Sequence, residues 1–220
     1  MAFLNFISIY EFRVKIWYTV AMKNKWLIGI DEAGRGPLAG PVAVGVVTVP
    51  TNFEWRLIPG VGDSKGIAAK KREAIFFQAQ KLRHHRTLDF AVAMVGASVI
   101  DEKGIVYAVN LAMERCIHRL ALNPEDCHIL LDGSLVAPKT FSQETIIKGD
   151  VTEPVIGLAS IVAKVTRDRF MAGTAQKRYP QYGFEQHMGY GTELHRKMIT
   201  TVGRCPNHRA SYCKNIKYVV

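Results

Sequence analysis

From Trp26 onward the apolar positions follow two alternating rhythms. Short β-branched runs bounded by Gly and Pro occur at 26–31 (WLIGID) and 41–49 (PVAVGVVTV). They predict two buried strands joined by the tight connection GRGPLAG. Residues 50–66 are loop-like, and 68–86 (AAKKREAIFFQAQKLRHHR) have helical composition with a basic face. A third strand is expected at 88–97, then a helix at 105–122 with apolar positions 105, 109, 113, 116, 117 and 120. CHILLDG (127–133) and ETIIKGD (144–150) read as strands that end on acids. PVIGLASIVAKVTRDRFMAGTAQKR (154–178) reads as one long helix opened by a proline, ahead of a polar, Gly- and His-rich C-terminal region. The order β-β-α-β-α-β-β-α predicts an α/β fold, a mixed β-sheet flanked by helices. With no linker, repeat or low-complexity tract, residues 26–220 are expected to form a single domain.

Residues 1–25 fall outside this pattern. The stretch MAFLNFISIYEFRVKIWYTVAM is apolar and aromatic, but Glu11, Arg13 and Lys15 interrupt it. That leaves no membrane span, and no basic region precedes it as in a signal peptide. Met22 then opens MKNKWLIGIDEAG, so residues 1–21 read either as a peripheral extension or as an upstream start. Cys116, Cys127, Cys205 and Cys213 form no Cys-x-x-Cys pair, which makes reduced thiols and a cytoplasmic location the default. Charge changes the picture more. Lys and Arg number 29 against 19 acids, a net charge of +10, and such a chain favours polyanionic partners, nucleic acid among them.

Against that basic background the acids stand out. Asp31 and Glu32 close the first strand, Asp132 the fourth and Asp150 the fifth, and strand ends are where function collects in open α/β sheets. One acid before a glycine is ordinarily a turn residue. Four gathered at one sheet end would repel, by about 4 kcal/mol for a pair 4 Å apart at an effective dielectric of 20. Oxygen-only ligands point to Mg²⁺ or Mn²⁺, and two such ions suit phosphodiester hydrolysis. Gly34 and Gly36 would let main-chain groups approach a sugar-phosphate, and Arg35 can donate to phosphate. GVGDSKG (60–66) lacks the spacing of a nucleotide-triphosphate loop. Ser160, Lys164 and Arg167 share a helical face suited to tracking phosphates. Asp168, flanked by arginines, reads as a structural ion pair. His187, His195 and His208 match no zinc spacing and read as structural or substrate-side.

The run IGIDEAGRGPLAGPV, followed in order by VGDSK, LLDG, KGD, ASIVAKVTRDR, HMGYGTELH and CPNHRASY, resembles the ribonuclease HII family over residues 26 to about 213. The resemblance implies an RNase H-like fold with a C-terminal helical portion. It implies cleavage of the RNA strand of RNA/DNA hybrids and incision of duplex DNA 5′ to an embedded ribonucleotide, leaving 3′-hydroxyl and 5′-phosphate ends. By motif, Asp31, Glu32, Asp132 and Asp150 would be the catalytic, metal-binding carboxylates of a two-ion Mg²⁺ or Mn²⁺ site. Gly34, Arg35 and Gly36 would read the ribose 2′-hydroxyl and adjoining phosphate, and Tyr190 would stack on the following sugar. Ser64, Lys65, Ser160 and Lys164 look like phosphate contacts. A monomer is expected, and a sliding-clamp partner is left open.

Two positions depart from the family pattern: Met188 stands where a basic residue is usual, and Val151-Thr152-Glu153-Pro154 follow KGD, adding an acid. The alternatives are a ribonuclease HIII-like enzyme, whose extra N-terminal domain about 25 residues cannot make, and a non-catalytic nucleic-acid-binding protein of the same fold.

Overall fold

A computed structural model describes residues 25–61 and 66–217. The expectations for residues 1–21, Ser64 and Lys65 lie outside these described residues. Five strands form one sheet: β1 (Trp26–Ala33), β2 (Val42–Pro50), β3 (Asp89–Val95), β4 (Cys127–Asp132) and β5 (Ser142–Ile146), in the order β3-β2-β1-β4-β5. β2 runs antiparallel to β1 and β3, while β4 and β5 run parallel to β1. Helices cover both faces, so β2 is buried along its whole length except at Pro50, which explains its unbroken apolar run.

The strand period of two sorts the side chains. Ile28, Ile30, Val42, Val44 and Val46 face α3 (Ile105–Arg119), packing on Ala108, Val109, Ala112, Met113 and Cys116. Leu27, Val47 and Val49 face α1 (Ala69–His84) and α5 (Pro154–Arg169). A third cluster, built on Leu38, Met171, Tyr182, Phe184 and Ile199, fastens the C-terminal portion to the segment after β1.

Close packing on the α5 face needs glycine. A Cβ at Gly29 would lie 2.2 Å from the Val155 carbonyl oxygen, and one at Gly45 would lie 2.3 Å from that of Ala159. α5 therefore rides directly on the two central strands. Among the described residues no helix is long and apolar enough to cross a membrane.

Three expected elements differ. α2 (Ala97–Lys103) follows β3 where the strand was expected to continue. β5 ends at Ile146; Lys148 then takes a left-handed conformation (φ 57°) and Asp150 sits in the first turn of α4 (Gly149–Thr152) rather than on a strand. The long helix expected over 154–178 is α5, a wider π-helical stretch over Phe170–Ala175, and α6 (Gln176–Arg178). The C-terminal portion adds α7 (Phe184–His187) and α8 (Glu193–Val202).

Candidate active site

β1 runs two residues past the expected strand end, so both of its acids lie within the ladder: Asp31 pairs with Gly45 and Glu32 with Val44. As strand neighbours they point to opposite faces. Asp31 turns towards α5, is only 3 % exposed, and accepts hydrogen bonds from the Ser160 hydroxyl and, at 2.7 Å, from the Glu32 N–H. Glu32 pairs instead with Arg35, Nη1 to Oε1 at 2.8 Å.

The parallel pairing of β1 with β4, ending at Ile30 opposite Leu131, brings Asp132 to the same sheet end. The turn through Lys148 folds α4 back over it, so that the Asp150 N–H faces Asp132 Oδ1 at 3.4 Å. Three sequence-separated segments thus deliver the four acids to one end of the sheet.

Among the described residues, their electrostatics are those of crowded carboxylates that a single guanidinium, Arg35, offsets only at Glu32. Burial, reinforced by the neighbouring charges of Glu32 and Asp132, pushes Asp31 up to about 7, against the lowering effect of the Ser160 bond. Burial also raises Glu32, although Arg35 opposes it. Among the described residues no three His, Cys, Asp or Glu side chains are already drawn into a metal cage. Glu32 is held by Arg35, and Asp31 by Ser160. An oxygen-only donor set with a buried, mutually repelled carboxylate at its centre nevertheless fits a hard divalent cation.

Several expected substrate contacts stand elsewhere. Ser160 is buried beside Asp31 and donates its hydroxyl to that carboxylate. Arg167 is also fully buried, donating to the carbonyls of Pro41 (2.8 Å), Met188 (3.0 Å) and Ala39 (3.1 Å); its expected place on a phosphate-tracking face is corrected. Lys164 remains near the surface, 2.7 Å from Asp168, which is the helical ion pair expected of that acid. The Lys164 ammonium lies 5.5 Å from the centre of the Tyr190 ring, and that ring is 43 % exposed.

Gly34 and Gly36 divide the work of their loop. Gly34 has φ 89°, and a Cβ there would fall 2.0 Å from Arg167 Nε; a Cβ at Gly36 would meet nothing within 4 Å. The first glycine admits the core arginine, and the second leaves the outer side of the loop open.

Sequence reasoning missed two supports. Arg209 is fully buried and donates to the carbonyls of Gly34, Arg35 and Gly40. Its signal was its setting, since no acid occurs between Glu193 and the C-terminus to pair with it. The second support is a histidine chain. His195 Nδ1 donates to the Tyr190 carbonyl at 2.8 Å, and its Nε2 meets His208 Nε2 at 3.0 Å. His208 Nδ1 accepts from the Cys205 N–H at 2.9 Å. His187 stacks on His195 with ring centres 4.3 Å apart and accepts from the Gly189 N–H. All three histidines are thus hydrogen-bonded or stacked within the C-terminal portion.

A five-stranded mixed sheet in this order, with acids gathered at the end of its central parallel pair, defines a nuclease of the ribonuclease H class. The family model described as Ribonuclease HII matches residues 28–215, and the chain belongs to that family. Ribonuclease HII of Syntrophotalea carbinolica is 43% identical over 186 residues, covering 84% of each chain. Among solved structures, ribonuclease H2 from Pyrococcus horikoshii OT3 superposes with a TM-score of 0.64 at 29% identity, covering 87% of this chain and 97% of that one. The ribonuclease HII solved in complex with PCNA from Archaeoglobus fulgidus gives 0.60 at 26% identity, over 79% and 85% of the two chains.

Proposed function

We propose that this ribonuclease hydrolyses the RNA strand of RNA/DNA hybrids and incises duplex DNA on the 5′ side of an embedded ribonucleotide, leaving 3′-hydroxyl and 5′-phosphate ends. One observation carries the reading: the buried, mutually repelled carboxylate Asp31 lies within six residues of a glycine loop whose outer side is open. Asp31, Glu32, Asp132 and Asp150 would hold two Mg²⁺ or Mn²⁺ ions. When bound, such ions neutralise the acids, lower the pKa of a water and stabilise the leaving oxygen.

The remaining roles belong to the chain's own groups. Ser160 fixes the orientation of the Asp31 carboxylate. Gly36 lets the backbone approach the ribose, whose 2′-oxygen distinguishes RNA from DNA. Tyr190 offers its exposed ring to the next sugar, and Lys164 beside it offers charge to a phosphate. In this reading Arg35, paired with Glu32 here, would be available to a phosphate once a cation neutralised that acid.

The test is a DNA duplex carrying one ribonucleotide, incubated with Mg²⁺ or Mn²⁺ and then with EDTA. Incision at the phosphodiester 5′ to the ribonucleotide, stopped by EDTA, is expected. No metal-dependent incision overturns the reading, and cleavage of an RNA/DNA hybrid alone overturns its ribonucleotide half.

A further inference from the structure

The buried guanidinium of Arg209 donates to three carbonyls, with the Tyr212 side chain as a further hydrogen-bond partner. Nη2 reaches Gly34 O at 2.6 Å, Nη1 reaches Arg35 O at 2.8 Å, and Nε and Nη2 share Gly40 O at 3.0 and 2.9 Å. A trans peptide points its C=O and its N–H to opposite sides, and no cis bond occurs among the described residues. Drawing the Gly34 and Arg35 carbonyls inward therefore turns the Arg35 and Gly36 N–H groups outward. Neither N–H has an acceptor among the described residues, and Gly36 is exposed on that side. Two successive outward N–H groups make a concavity for an oxygen acceptor.

Arg209 is itself held firmly. Its N–H donates to Leu38 O at 2.8 Å. The Asp101 carboxylate accepts from the N–H groups of Ala210 and Ser211 at 2.7 and 2.9 Å. The planar fork, unlike an ammonium, can fix several carbonyls in one orientation.

We infer that Arg209 is a positioning residue that presents the Arg35 and Gly36 N–H groups to the ribose 2′-oxygen and its adjoining phosphate. The inference rests on the proposed reading of the Gly34–Gly36 loop as a ribose sensor, and it adds the residue that sets the sensor's geometry.

The experiment compares wild type with Arg209→Lys, which keeps the charge and loses the fork. At a single ribonucleotide kcat is expected to fall by about tenfold or more, because small misplacements of reacting groups are costly. Duplex Kd in EDTA should change by no more than about twofold, because it rests on many phosphate contacts of which this loop supplies only one. In ¹⁵N NMR of the metal-free protein the Arg35 and Gly36 amide resonances should shift or broaden, a change that general destabilisation does not single out. Unchanged amides together with an unchanged kcat overturn the inference.

If Arg209→Lys does not fold, Asp101→Asn is read in the same way, since it loosens the segment that carries Arg209 while keeping the guanidinium fork and its carbonyl acceptors. The same amide signature with a smaller loss of kcat is expected, and no change in either overturns the inference. A wild-type protein that fails to incise sinks the functional reading, while the amide comparison still decides whether Arg209 orients the loop.

Discussion

Asp31 is placed where a stable core would not put a carboxylate. It is buried, beside two other acids, with a hydroxyl as its side-chain partner and a pKa near 7. Asp31→Asn keeps the size and the Ser160 bond while removing the charge, so metal-dependent incision should be lost with duplex binding retained. The metal-free variant should also be more stable than wild type at pH 8, by on the order of 2 kcal/mol. The sign follows from the raised folded-state pKa. Native protein holds its proton up to about 7 while the unfolded chain releases it near 3.8, so the penalty grows across that window. Thermal unfolding at pH 8 and pH 4 checks this: the advantage of Asn should be present at the first and nearly gone at the second, and a variant less stable at pH 8 contradicts the account. Tyr190 is argued at the same scale. Its main-chain groups carry its structural bonds, the N–H to His187 O and the carbonyl to His195. Tyr190→Ala should therefore fold normally and cut a single ribonucleotide roughly tenfold more slowly, in line with loss of one stacking platform. Unchanged cleavage rates would remove Tyr190 from the site.

Among the elements, the strands were legible because burial on both faces forces β-branched runs, and the acids at their ends were legible because polar residues interrupt those runs at Asp31 and Asp132. Asp150 was assigned to a strand because KGD continues the pattern of ETII; the left-handed Lys148 that turns it back leaves no mark in an apolar count. α2 escaped notice for a similar reason, as its seven residues begin where β3 stops, with only Gly96 between. The i, i+4, i+7 spacing correctly put Ser160, Lys164 and Arg167 on one face of α5, but spacing cannot say that this face turns inward at both Ser160 and Arg167. What turns it inward is the glycine pair beneath. Gly45→Ala would drive a Cβ to within 2.3 Å of a backbone oxygen that cannot swing aside. The cost expected is about 3 kcal/mol or more, measured by denaturant unfolding. Activity at permissive temperature should fall with it, because Ser160 follows Ala159 on the displaced turn. A near-neutral Gly45→Ala would show that α5 can lift without consequence.

Across the whole molecule, the C-terminal portion is joined to the catalytic sheet through buried arginines and is held together internally by histidines that must keep fixed protonation. Two arginines, Arg167 and Arg209, cross from one part to the other through carbonyls, and the chain from His208 through His195 to the Tyr190 carbonyl needs neutral imidazoles. With His195 Nδ1 donating to Tyr190 O and His208 Nδ1 accepting from Cys205, the contact between the two Nε2 atoms can hold one proton only. Burial accordingly depresses both His195 and His208 to about 4. For a histidine held neutral, the native state binds fewer protons than the unfolded chain between about 6.5 and 4, so stability falls as pH falls through that range. Each group contributes about 1.4 kcal/mol per pH unit at most, which gives on the order of 3 kcal/mol for the pair at pH 5. Asp31 and Glu32 act in the opposite sense, because their raised pKa values relieve the fold on acidification. The histidine contribution is therefore best read in an Asp31→Asn, Glu32→Gln protein, whose unfolding free energy should drop steadily from pH 7 to pH 5. Ring NMR signals of His195 and His208 should stay those of neutral imidazole over the same interval. A flat stability profile in that protein, or imidazolium shifts by pH 6, would mean that the C-terminal portion is not held by a single-proton histidine contact.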